Sequence, residues 1–117
     1  MSLPSGQKAA LAGQIVLEKK GYRPVLLDLR ELTLIADYFL ICHGNSDVHV
    51  RAIADAVAEG MAERGETRLR VEGREDARWV LLDLGDLVVH IFSQADREYY
   101  DLERLWGDAP RTELSPE

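Results

Sequence analysis

The run from Trp79 to Trp106, WVLLDLGDLVVHIFSQADREYYDLERLW, constrains this chain more than any other. Trp79-Val80-Leu81-Leu82-Asp83 has the apolar, β-branched character of a buried strand. Leu84-Gly85 can close a hairpin, because Gly85 is free to take a positive φ. Asp86 to Phe92 is a second apolar run. Ser93 then stands three residues before Asp96, an approximate capping box, so an amphipathic helix is predicted to follow. A strand, a tight turn, a strand and a helix in one segment call for a sheet with helices packed on it.

The upstream half completes that plan. Residues 7 to 20 read as a helix, with Leu11/Ile15 and Ala12/Val16 as i,i+4 pairs. Lys19 and Lys20 suit its negative end, and Gly21 fits the C′ position. Val25 to Leu29 and Tyr38 to Cys42 read as strands, joined by a turn or bulge over Arg30 to Asp37. Gly44-Asn45-Ser46 opens a long helix with Asn45 or Ser46 as its cap. Val50, Ile53, Val57 and Met61 form its buried stripe, and Gly65 ends it. Leu69 and Val71 alternate with Arg68, Arg70 and Glu72, a half-exposed strand. Gly73 to Arg78 is a polar loop. The predicted order is α-β-β-α-β-β-β-α: a compact α/β domain over residues 1–107, with a mixed sheet of about five strands. Residues 108–117 form a polar tail without apolar periodicity, predicted to lack regular structure.

Bulk properties narrow the function classes. The 117 residues fit one domain. No apolar run approaches the ~20 residues that span a bilayer. The opening MSLPSGQKAALAGQ lacks a basic region followed by an apolar core, so no signal peptide is expected. A single cysteine, Cys42, excludes an internal disulfide and reads as a buried reduced thiol, so a cytoplasmic setting is expected. The net charge of −7 has the wrong sign for a nucleic-acid binder and steers the chain toward basic proteins.

Catalytic signatures are weak. His43 and His49 with Cys42 lack the spacing of a zinc site. Asp83 and Asp86 bracket the hairpin turn. With Asp28 as a third carboxylate and Gly44 and Ser46 as a phosphate-binding turn, they could serve a metal-dependent nucleotidyltransferase or nucleotide-binding protein. Residues three apart do not share a strand face, however. Turn chemistry explains both aspartates, and an acidic loop facing a basic partner explains them equally well. There is no Ser-His-Asp order, Walker loop, G-x-G-x-x-G or C-x-x-C pair. No catalytic residue, metal or cofactor is assigned. His90 shares a strand face with Val88 and Phe92, as a sheet histidine or as a partner contact. Trp79, Tyr99, Tyr100 and Trp106 are dense enough to serve a core or an interface. Trp79, opening its strand beside the polar loop, is placed in an interface; Trp106 is placed in the core.

The same segment resembles the ribosomal silencing factor family, also called the Iojap family. That family carries W-[VIL]-[LV]-[LV]-D-[FLY]-G-D-x-V-V-H-[IV]-[FM] followed by R-x-x-Y-x-L-E-x-L-W. Trp79, Asp83, Gly85, Asp86, Val88, Val89, His90, Arg97, Tyr100, Leu102, Glu103, Leu105 and Trp106 match every fixed position. Upstream, Asp28, Thr33, Asp37-Tyr38-Phe39, Ile41-Cys42, Gly44-Asn45-Ser46, His49-Val50 and Ile53-Ala54-Asp55 fit a second family segment, and Glu72-Gly73 a third. The resemblance covers roughly residues 8 to 106.

The resemblance implies a compact α/β sandwich, distantly nucleotidyltransferase-like, and no enzymatic activity. It implies binding to the large ribosomal subunit through ribosomal protein fourteen of its L series. The bound factor would block joining of the small subunit and repress translation under nutrient limitation. Family members often form homodimers in isolation. Within the region so implicated, Glu72, Trp79, Leu81, Asp83, Asp86 and His90 are the expected partner-binding residues. The acids would meet a basic patch, and Trp79 and Leu81 would supply the desolvated centre.

Overall fold

A computed structural model describes residues 3–116. Helix α1, Ser5–Glu18, leads into β1, Tyr22–Asp28, and β2, Tyr38–Gly44. Helix α2, Asp47–Glu63, precedes β3, Arg70–Glu72, β4, Trp79–Asp83, and β5, Leu87–Ser93. Two short helices follow, α3, Gln94–Tyr100, and α4, Leu102–Leu105, and then a last strand, β6, Arg111–Glu113. Among the described residues the sheet has six strands in the order β3-β4-β5-β2-β1-β6. Its central pair, β2 and β5, is parallel, and every other pairing is antiparallel.

Helices α1 and α2 cover one face of the sheet. Ala9, Ala12 and Val16 of α1 and Val50, Ile53, Val57 and Met61 of α2 bury against Leu40, Cys42, Val80, Leu82, Val89 and Ile91. The helical spacing of the α2 stripe is as read from the sequence. Ser46 caps α2, its Oγ accepting from the His49 amide at 3.1 Å. In α1 the buried line is Ala9, Ala12 and Val16, while Leu11 and Ile15 are only half-buried. The left-handed residue after α1 is Lys20 (φ 60), not Gly21. Gly21 is needed for space instead, because a Cβ there would strike the Val16 side chain.

The opposite face buries a second apolar set: Val25, Leu27, Leu29, Phe39, Ile41, Val88, Phe92, Leu102 and Ala109. Its cover is thinner, supplied by α3, α4 and the segment that leads to β6. The single final helix expected from the sequence is in fact two. Asp101 adopts φ 47 and ψ 57, ends α3 and begins α4. This break turns Leu102 inward and leaves Leu105 exposed.

The tail is also a correction. Residues 111–113 pair with β1, and the Leu114 amide donates to the Pro24 carbonyl at 2.9 Å. β1 would otherwise be a bare edge with unpaired backbone groups. One apolar residue, Leu114, reaches the core under the helices, which is too little to register as periodicity.

Candidate partner-binding surface

Strand alternation decides which side chains share a face. In β4, Val80 and Leu82 point to the helices, and Trp79, Leu81 and Asp83 to the thinner side. Register extends this into rows. Leu81 lies opposite Glu72 on β3 and His90 on β5. Asp83 lies opposite Arg70 and Val88, and Trp79 opposite Phe92. Five of the six expected partner-binding residues, Glu72, Trp79, Leu81, Asp83 and His90, thus occupy one face of three adjacent strands.

Trp79 is half-buried at the end of this face. Its ring lies 4.9 Å from Phe92 and 4.6 Å from Tyr100, and its Nε1 donates to His90 Nδ1 at 3.1 Å. Phe39 meets the His90 ring edge-on at 4.5 Å and the Trp106 ring edge-on at 5.8 Å. Trp106 accordingly packs against the buried set on this face. His90 is 4% exposed, and burial pushes its pKa down to about 4. It is therefore neutral near pH 7.

The acidic residues divide. Glu72 is exposed. Asp83 accepts from Arg70 Nη2 at 3.2 Å and from the Gly85 amide at 2.8 Å, so it both builds the turn and faces the surface. Asp86 does not join the others. Its carboxylate accepts from Lys8 Nζ at 2.8 Å, on the α1 side of the turn. Lys8 is almost wholly buried and also lies 3.4 Å from Glu66. A carboxylate engaged by a buried ammonium is committed to the fold. Hairpin spacing alone could not disclose this, since Lys8 is 78 positions away in sequence.

Other sequence candidates resolve into structure. Asp28 is clasped by Arg30, whose guanidinium holds that carboxyl below its usual range. Asp28, Asp83 and Asp86 thus each face a different cation. Among the described residues no group of three or more His, Cys, Asp or Glu could hold a metal ion. Cys42 points under α1 and α2, where burial pushes its thiol up to about 12. His43 takes a hydrogen bond from Arg97, and His49 bridges the Asn45 amide and the Lys19 carbonyl. Gly44-Asn45-Ser46 is a helix-capping turn.

Sequence reading left Tyr99 and Tyr100 without a place in the expected surface. Tyr100 packs beside Trp79, with Tyr99 edge-on to it at 5.0 Å, and both are exposed. The Tyr-Tyr dipeptide within the aromatic cluster was the available signal. Leu34 and Ile35, in the β1–β2 connection, are also exposed. Their signal was a pair of adjacent apolar residues in a segment already read as a connection.

The chain and its fold have counterparts in known proteins. The family described as "Ribosomal silencing factor during starvation" matches residues 2–117, including the tail. A Halalkalibacterium halodurans protein named Ribosomal silencing factor RsfS is 53% identical over 104 residues, 89% of each chain. A crystal structure of a Chromobacterium violaceum protein superposes with a TM-score of 0.87 at 33% identity, over 98% of this chain and 92% of that one. A mouse protein named Mitochondrial assembly of ribosomal large subunit protein 1 is 32% identical over 73 residues, which is 60% of this chain and 32% of the mouse protein. Family match, close relative and shared fold agree across nearly the full length: the chain belongs to the ribosomal silencing factor family.

Proposed function

We propose that this protein is a translational repressor of the cytoplasm that works by occupying the large ribosomal subunit. It docks on ribosomal protein fourteen of the L series and sterically prevents the small subunit from joining, chiefly under nutrient limitation. The mechanism needs a complementary surface and no catalytic group. The observation that carries it is the convergence of Glu72, Trp79, Leu81 and Asp83 on one thinly covered sheet face, in a chain of this family. A half-buried tryptophan packed on Phe92 and Tyr100, with Leu81 on the same face, has the make-up of an interface anchor, and Glu72 and Asp83 supply an acidic rim for a basic partner. The mouse relative's name, with its reference to the large subunit, supports that choice of subunit. The family resemblance adds that the free protein pairs as a homodimer, which analytical ultracentrifugation would test.

Purified protein should co-sediment with isolated large subunits and not with small ones. Trp79→Ala should weaken that binding by ~2 kcal/mol while the variant still melts cooperatively. Equal association with both subunits, abolished by modest salt, would identify nonspecific sticking and end this reading.

A further inference from the structure

The Trp79 side chain is fixed from beneath by a histidine that packing alone does not require. Its indole Nε1 donates to His90 Nδ1 at 3.1 Å. A ring nitrogen that accepts carries no hydrogen, so neutral His90 carries its hydrogen on Nε2. That Nε2 is buried and, among the described residues, has no hydrogen-bond partner. His90 sits between Phe39, at 4.5 Å, and Phe92, at 6.3 Å, in an otherwise apolar row. A phenylalanine would suit those neighbours and would bury no orphan donor. What the imidazole adds is an acceptor for Trp79.

We propose that His90 is a positioning residue, whose Nδ1 fixes the Trp79 indole and consumes its N–H before any partner arrives. The inference rests on the reading that Trp79 is a docking contact, and it specifies the chemistry of that contact. With its one polar hydrogen engaged inside the protein, Trp79 offers the partner a preoriented carbon surface. The matching group is an aliphatic side chain or the stem and guanidinium of a basic residue, not a hydrogen-bond acceptor. Holding the indole in one orientation also removes part of the ordering cost of association.

The test uses nitrogen-15-labelled full-length protein, with Trp106→Phe to identify the Trp79 indole signal. In the wild type, a long-range proton–nitrogen spectrum should show His90 as the Nε2–H tautomer, a result that depends on no variant. His90→Phe should shift the Trp79 indole N–H toward that of a water-bonded indole and speed its exchange with solvent. Its affinity for large subunits should fall about 3- to 10-fold, the worth of one hydrogen bond. His90→Asn places an oxygen near the former Nδ1 and should restore most of both. An Nδ1–H tautomer, or a folded His90→Phe protein with unchanged indole signal and affinity, would overturn the proposal. Should Trp79→Ala bind normally, the docking surface is wrong, and the spectra still decide the positioning role. Should Trp79→Ala lose binding while His90→Phe keeps it, the surface stands and the positioning role fails.

Discussion

Lys8, in the first helix, reaches Asp86 in the β4–β5 turn at 2.8 Å, and the lysine is 2% exposed. Glu66, equally buried, lies 3.4 Å from the same ammonium. The pair ties the start of the chain to the hairpin. Lys8→Met should remove a buried ammonium from beside Glu66 and Asp86 and lower stability by about 3 kcal/mol, visible as a falling urea midpoint. Asp86→Lys should likewise melt early, by setting two ammonium groups against each other. Asp83→Lys should reduce subunit binding in a protein that still folds. If Asp86→Lys melts like the wild type and binds poorly, Asp86 is a contact residue after all.

Gly73 lets the loop before β4 pass close against the Trp79 backbone. It has φ 82, and a Cβ there would sit inside van der Waals range of the Trp79 backbone carbonyl. Gly73→Ala therefore combines a strained conformation with a clash that only a backbone shift can relieve. It should cost at least ~2 kcal/mol. Because the shift falls on Trp79, large-subunit binding should suffer even at temperatures where the variant stays folded. Thermal melting with a binding assay well below the midpoint would separate the two effects.

Acid should weaken the fold through two buried histidines. Burial, as the larger cause, pushes both His90 and His43 from the usual 6.5 to about 4, and for His43 the Arg97 guanidinium adds to it. Depressed histidine values mean that the unfolded chain binds more protons than the native one between those limits. The stability they contribute is complete above about pH 6.5 and is lost as pH falls toward 4. For His90 alone the full shift corresponds to about 3 kcal/mol. Urea midpoints should hold from pH 7.5 to about pH 6.5 and fall from there to pH 4.5, and His90→Phe should flatten part of that slope. A wild-type midpoint that is constant over this range would contradict the burial of both rings.

The elements that carry the site were legible because their signals are local. The apolar runs of β4 and β5 mark them as strands, and Ser93 and the Asn45-Ser46 pair mark the helices that follow them. Helix α2 followed its apolar spacing closely. What was hidden depended on distant residues or single backbone angles. Asp86 pairs with Lys8, 78 positions away, and nothing local to the hairpin marks that contact. The break at Asp101 turns on one left-handed residue that is not glycine, and although aspartate takes that conformation more readily than most residues, a single Asp inside an apolar-periodic run does not mark a helix end.

The tail offers a test of the least legible element. Residues 111–113 cover the β1 edge, and Leu114 closes over Gly13 of α1, where a Cβ would strike its Cδ1. A chain ending at Pro110 loses those ladder bonds and the Leu114 anchor, and it bares β1. It should lose about 2 to 4 kcal/mol of stability, most of it the buried leucine and the paired backbone. Leu114→Ala alone should reproduce a large part of that loss, about 1 to 2 kcal/mol for a half-buried side chain. Neither change touches the Trp79 face, because β6 lies at the opposite edge of the sheet from β3 and β4. Subunit binding measured at low temperature should therefore persist while the melting midpoint falls. If the shortened chain melts as the full one does, residues 111–113 do not hold β1 in solution. If it stays folded but no longer binds, the contact surface includes the tail edge and must be redrawn to include it.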